Sequence, residues 1–428
     1  MKNRRSFIKK AFLTGGTLSV SSFFNQSIAE DIADAMHSLQ NLDLASASQD
    51  EDLWARIRQA YTTSNQIINL NNGGVSPQPK IVQDAANRYY TYSNEAPSYY
   101  MWRILDQGRE PLRSKLARLS GVEADEIAIN RNTTEAINNV IFGLNLQKGD
   151  EVILTKYDYP NMINAWRQRE RRDGIKLIWL DFDIPMEDNQ LIIDKFKEAI
   201  TSRTRVFHIT HMLNWTGHIM PAKELCGIAA KNGIYSIVDG AHTFAHLDFK
   251  ISDLGCDFYG TSLHKWLCAP FGTGMLYIKK EKIAEVWPLL AAPEAQDDNI
   301  RKFENIGTRS FAIEQAINSA IDFHLAIGTD KKEARLNYLK NYWVDQVKGV
   351  DKVRFYSSQN PKHTCALFNF GIEGMDAGPV HNALFRTHKV HTSPIKWEKV
   401  NGPRVTPHVY TSLYELDRLV EAIDLVSR

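Results

Sequence analysis

The feature that most constrains this chain is a series of six short, nearly uncharged apolar runs at 126–130, 151–155, 176–180, 206–210, 235–239 and 258–261, most of them separated by stretches of helical periodicity. A strand with few charges inside it is covered on both faces, and the intervening helices supply the crossovers that parallel pairing needs. A seventh run, 275–279, follows within a few residues, too soon for a helical crossover. The pattern predicts an α/β fold built on a mostly parallel, seven-stranded sheet.

Beyond about residue 310 the pattern changes to two long amphipathic helices, 311–327 and 331–347, then to strand-like and helical pieces ending at 419–426. This reads as a smaller α+β C-terminal domain, 310–428, joined through the first long helix to a large domain, 66–309. Two domains suit a chain of 428 residues. Residues 30–65, rich in Ser, Ala, Asp and Gln around 45–52, read as a mobile N-terminal leader with a short helix at 53–61, so order is expected to begin at Ile67.

Residues 1–29 differ from the rest. Arg4-Arg5-Ser6-Phe7-Ile8-Lys9-Lys10 is a twin-arginine n-region, residues 11–24 are uncharged and mildly apolar, and Ser27-Ile28-Ala29 ends in small residues suited to signal peptidase. A basic amphipathic helix would need charge on one face, and 11–29 contains none. The segment therefore reads as a Tat signal peptide, implying passage through the Tat translocase and a periplasmic or otherwise exported protein. Cleavage would move the formal net charge from +1 to about −4. That leaves no basic footprint for nucleic acid, and no later run of 18 uncharged apolar residues offers a membrane span. Cys226, Cys256, Cys268 and Cys365 lie in no CxxC or zinc spacing and read as buried small residues, with no metal expected.

In open parallel sheets ligands bind beyond the carboxyl ends of the strands. One such end, Asn130-Arg131-Asn132-Thr133-Thr134-Glu135-Ala136, turns into a helix whose first N–H groups and hydroxyls suit a phosphate, or form a plain N-cap. Another, Ser236-Ile237-Val238-Asp239-Gly240-Ala241-His242, ends in a carboxylate that can hold a protonated pyridine nitrogen or merely cap a turn. A third, Gly260-Thr261-Ser262-Leu263-His264-Lys265-Trp266, offers a lysine able to form an imine if its pKa is lowered. Each is weak alone. Their combination points to one cofactor.

Together these motifs resemble the class V aminotransferases of PLP fold type I, which are aspartate aminotransferase-like. The family includes cysteine desulfurases, kynureninase, isopenicillin N epimerase and hercynylcysteine-sulfoxide lyase, and the resemblance covers about 66–426. It implies pyridoxal 5'-phosphate on Lys265, Asp239 on the pyridine nitrogen and His242 near the phenolic oxygen. It further implies Asn214 near that oxygen or the substrate, Tyr159 stacked on the ring, and Asn132, Thr133, Thr134, Ser262 and His264 around the phosphate. Thr308, in Glu304-Asn305-Ile306-Gly307-Thr308, matches a residue that reaches the partner subunit's phosphate, which implies a homodimer with shared sites. Arg404 matches the arginine that clamps a substrate carboxylate, a task for which a bidentate guanidinium is suited.

Such a cofactor draws electrons from Cα, and the lysine it leaves can move the Cα proton. Persulfide-forming desulfurases carry a loop cysteine ten to twenty-five residues before the arginine; the matching segment here, Val390-His391-Thr392-Ser393-Pro394, has none. Asp158-Tyr159-Pro160 and Leu70-Asn71-Asn72-Gly73-Gly74 look more like the isopenicillin N epimerase group. The expectation is epimerisation or transamination of an amino-acid or peptide-like substrate. The alternatives are a C–S lyase or other β-elimination enzyme, and an inactive exported binding protein.

Overall fold

The computed structural model describes residues 20–428. After a two-residue strand, β1 (Ile68–Asn69), come β2 (Ile127–Asn130), β3 (Glu151–Thr155), β4 (Lys176–Leu180), β5 (Thr204–Thr210), β6 (Tyr235–Asp239), β7 (Phe258–Ser262) and β8 (Gly274–Ile278). These last seven make one sheet in the order β2-β8-β7-β6-β5-β3-β4. β8 runs antiparallel to both β2 and β7, as its short connection requires, and the remaining pairings are parallel. The sheet is buried on both faces. Ile153, Phe207, Ile209 and Val238 enter one core cluster, while their chain neighbours Val152, Leu154, Val206 and Ile237 enter another.

The winding of the sheet reverses between β3 and β5, because β4 lies outside β3 while β6 and β7 step away on the other side. Such a reversal opens a crevice at the carboxyl ends of the strands. It is here that 158–159, 211–214, Asp239 and 262–265 come together.

The C-terminal part adds β9 (Val353–Phe355), β10 (Phe368–Ile372), β11 (Val390–His391), β12 (Ser393–Trp397) and β13 (Val400–Val405). Four of them form an antiparallel sheet, β12-β13-β10-β9, and β11 pairs in parallel with β1. The Leu70 carbonyl accepts the Thr406 N–H at 2.8 Å. Residues 68–72, assigned above to the large domain, thus pair with the C-terminal strands. The helix Phe311–Ile327, assigned above to the small domain, buries Ala316, Ile317, Ala320 and Ile321 in the same cluster as the large sheet.

The expected mobile leader is corrected by the structure. Residues 30–65 contain helices packed on the body of the protein: the end of Val20–Gln40, then Leu44–Gln49 and Glu51–Arg58. Asp43 and Asp50 cap the two shorter ones by accepting the Ser46 and Leu53 N–H groups. Ile32, Met36, Leu39, Trp54 and Ile57 are buried with Trp266, Leu336 and Tyr410. Arg335 lies over Trp54 and pairs with Glu51, and Arg58 pairs with Glu415. Of the expected signal segment, residues 1–19 lie outside the described residues. The expected cleavage point after Ala29 falls inside the first helix, upstream of every buried residue of that helix that the structure describes.

No helix among the described residues is long and apolar enough to cross a membrane. Many histidines are buried and neutral. Burial pushes His208 down to about 3, His211 to about 4 and His246 to about 3. Above the ordinary value of about 6.5 such a group is neutral in both folded and unfolded chains. Below it only the unfolded chain takes up the proton, so stability is lost as pH falls from about 6.5 towards the folded values. The melting temperature should therefore drop steeply between pH 7 and pH 5. His208→Leu, at a site where neither ring nitrogen has a partner, should give a shallower slope by about one proton.

Candidate active site

Asp239 closes β6 with Thr210 of β5 and Gly260 of β7 as its register partners. Its carboxylate is buried, with Oδ1 accepting the Ala241 N–H at 3.0 Å. Burial pushes its pKa up, while that N–H and the charge of Lys265 pull it back. No ion pair holds it among the described residues. The turn beneath is fixed by close packing, since a Cβ on Gly240 would lie 1.8 Å from Cζ of Tyr259. The Gly240 carbonyl accepts the hydroxyls of Thr261 at 3.0 Å and Tyr259 at 3.3 Å.

Lys265 follows β7 in a turn where its N–H reaches the Ser262 carbonyl at 3.3 Å. Its side chain is half-buried, and Nζ lies 3.1 Å from Nε2 of His242. Burial pushes the ammonium down to about 8, with Asp239 opposing and Arg404 adding to the shift. His242 is buried and held neutral. The amine, the carboxylate and the imidazole therefore share one desolvated space.

At the other end of the crevice Asn132 caps the helix Thr133–Gly143 by accepting the Glu135 N–H at 2.9 Å. The Thr133 N–H donates to Ser262 Oγ at 2.9 Å, and the two hydroxyls meet at 2.7 Å. Thr134 is half-buried, its hydroxyl accepting from Asn161 at 3.4 Å. Nδ1 of His264 donates to the Thr273 carbonyl at 2.9 Å, so in the neutral ring Nε2 carries a lone pair. Hydroxyls and a helix N-terminus are the donor set of a phosphate site.

Arg404 comes from β13 of the small sheet and is buried. Nη1 donates to the Asn214 carbonyl at 2.9 Å and Nη2 to Oδ1 of Asn71 at 3.0 Å, while Nε has no partner. Burial pushes this guanidinium down to about 10, with Tyr159 opposing. A buried cation bonded only to neutral oxygens is a site for an anion. Gly73 lies between the two halves of the site: a Cβ there would sit 3.4 Å from Cε1 of His242 and 3.5 Å from Cζ of Arg404. Asn214 is buried with Oδ1 unpartnered.

Tyr159 is 39% exposed at the cap of the helix Pro160–Asp173, and its ring packs on no other ring among the described residues. Thr308 is exposed beyond the short helix Ile300–Glu304, and no bond to this chain's own crevice holds it. Trp215 and Trp397 stack at 5.2 Å, Trp397 donating to the Lys156 carbonyl at 2.8 Å. His391 lies 3.5 Å from Asn71. Trp102 instead packs on Phe311 at 4.9 Å.

Sequence reasoning missed Asp158. It is wholly buried, accepting the Thr155 N–H and the Thr210 hydroxyl at 2.7 Å each. Burial and the neighbouring Asp239 push its carboxyl up to about 7. It ties the end of β3 to the end of β5 across the crevice. A carboxylate three residues beyond the apolar run, just ahead of the helix Pro160–Asp173, was the signal available.

The residues present fit a phosphorylated pyridine aldehyde: a lysine of lowered pKa, a buried carboxylate lacking a counter-ion, and a hydroxyl-rich helix start. A family model described as Aminotransferase class-V matches residues 68–393. Isopenicillin N epimerase of Streptomyces clavuligerus is 28% identical over 393 residues, covering 87% of this chain and 98% of the relative. A probable cysteine desulfurase of Halobacterium salinarum is 29% identical over 384 residues, covering 84% and 91%. Among solved structures, the apo cysteine desulfurase from Thermococcus onnurineus NA1 superposes with a TM-score of 0.77 at 23% identity, covering 87% of this chain and 97% of that one. The cystine C-S lyase C-DES in complex with cysteine persulfide gives 0.77 at 20%, covering 84% and 98%.

Arg404→Ala removes the guanidinium without stranding a buried carboxylate, so the fold should survive. KM for a carboxylate substrate should rise about 30- to 100-fold, the worth of a charged hydrogen-bonded pair. Steady-state kinetics check this, and an unchanged KM would remove Arg404 from the site.

Proposed function

We propose, from the premise that this chain belongs to the class V aminotransferase family, that it is an exported enzyme acting at Cα of an amino-acid or peptide-like substrate in the manner of the isopenicillin N epimerase group, by epimerisation or transamination. Its cofactor is pyridoxal 5'-phosphate. One observation carries the reading. A depressed-pKa amine, Lys265, feels the charges of both a buried carboxylate and a buried guanidinium, neither of which has an ion-pair partner among the described residues.

The cofactor, when bound, supplies an electron sink for Cα. Asp239 would hold a proton on the ring nitrogen, and Thr133, Thr134, Ser262 and His264 would hold the phosphate. Arg404 orients the substrate carboxylate. Lys265, with its pKa near 8, has an appreciable neutral fraction at mildly alkaline pH and takes the proton from Cα. Where the proton is returned decides the product: to Cα from the opposite face for epimerisation, or elsewhere for transamination.

Relatives named as cysteine desulfurases make persulfide chemistry a natural rival. The segment that would carry the thiol is here the end of β11 and the start of β12, and it contains no cysteine. All four cysteines are free and buried, and burial pushes the Cys365 thiol up. Elimination without a protein persulfide is the remaining rival, and it differs in its products. An inactive binding protein would have no need of Lys265 and Asp239 in facing positions.

Export through the Tat translocase to the periplasm belongs to the same proposal. That route is understood to carry folded proteins, which suits a cofactor loaded in the cytoplasm. The buried residues Ile32, Ala35, Met36 and Leu39 all follow Ala29, so cleavage there would spare the packed face of the first helix. A homodimer is proposed with it, Thr308 being exposed and available to a second copy.

Incubation of the loaded enzyme with amino acids and small peptides in ²H₂O should place deuterium at Cα, with inverted or deaminated products by mass spectrometry. Pyruvate and sulfide instead would establish elimination. Lys265→Ala should lose both the exchange and the visible absorbance band that borohydride removes. Arg4→Lys together with Arg5→Lys should retain the protein in the cytoplasm on fractionation; unchanged periplasmic recovery would refute the Tat assignment.

A further inference from the structure

Trp266 is completely buried directly behind Lys265. Its indole stacks on His246 at 3.7 Å and on His408 at 5.7 Å, with interplanar angles of 22° and 14°. Its carbonyl accepts from the buried Lys332 ammonium. His246 is itself immobilised, with Nδ1 on the His242 carbonyl at 2.7 Å and Nε2 accepting the Ala366 N–H at 3.2 Å. The ring that stacks on Trp266 thus also fixes the backbone of His242.

So held, the indole directs its only polar group, Nε1–H, at Nδ1 of His242 across 3.5 Å. An indole nitrogen can only donate, so Nδ1 must accept. A neutral imidazole that accepts at Nδ1 carries its proton on Nε2, the atom 3.1 Å from Lys265 Nζ. We propose that Trp266 is a positioning residue that sets the tautomer of His242, making a one-way chain of hydrogen bonds from indole to imidazole to lysine amine.

Two consequences follow for the site. An Nε2–H faces an amine lone pair favourably and an ammonium unfavourably, so the chain favours neutral Lys265. It also makes His242 a donor with no lone pair at Nε2, leaving Lys265 as the group on that side able to accept a proton.

The tautomer can be read in the full-length, cofactor-free protein labelled with ¹⁵N-histidine, with His242→Gln identifying the His242 ring signals. Between pH 7.5 and 8.5 the unsubstituted protein should show the proton on Nε2 and a bare Nδ1. Trp266→Phe keeps an aromatic ring against His246 and His408 but lacks the N–H, and should shift the population towards protonated Nδ1. A proton on Nδ1 in the unsubstituted protein overturns the proposal without requiring any variant to fold. Unchanged His242 signals in folded Trp266→Phe overturn it as well. Neither result depends on the reaction catalysed, so the outcome is separate from that of the exchange experiment.

Discussion

The site depends on a buried carboxylate without a counter-charge. Taking an ionised carboxylate out of water costs several kcal/mol unless a cation or several donors replace the lost hydration. Asp239 has one backbone N–H and the more distant field of Lys265. It is kept there by strands in register on either side and by the Gly240 turn locked over Tyr259. The same crevice holds Lys265 and Arg404, both pushed below their ordinary pKa values by burial. One anion and two cations, each short of partners, are complementary to a ligand pair carrying a protonated ring nitrogen, a phosphate and a carboxylate.

That complementarity explains why the site spans two sheets. Asp239, Lys265 and Thr133 come from ends of the large sheet, and Arg404 from the interior of β13. Asn71 and Gly73 stitch the halves together: Asn71 accepts from Arg404, and Gly73 occupies the gap between Arg404 and His242. A Cβ at position 73 would press on the Thr406 methyl at 3.0 Å and touch both His242 and Arg404.

The large sheet was legible in the sequence because burial on both faces removes charge from the strands, and every one of the seven runs became a strand. The strand ends were legible because cofactor chemistry restricts residue types at Asp239 and Lys265. What escaped depended on contacts distant in sequence. Residues 44–49 are too polar to show a helical apolar face, and their packing rests on partners near 336 and 410. The role of Asp158 becomes visible only once Thr210, fifty-two residues later, is seen to donate to it. Trp266 looked like any aromatic after a lysine until its ring was found stacked on two histidines and its N–H aimed at a third.

The ties between the chain's beginning and its end bear on how the protein is made. Arg58 is paired with Glu415, Arg335 with Glu51, and Trp54 is buried among residues as late as Tyr410. Trp266, Phe323 and Leu336 are synthesised well before the end, but Tyr410 and Glu415 come only in the last stretch of translation, so the packing of the early helices cannot be completed sooner. Completion of the wall behind Lys265 is therefore a late event, finished only when the last residues of the chain are available.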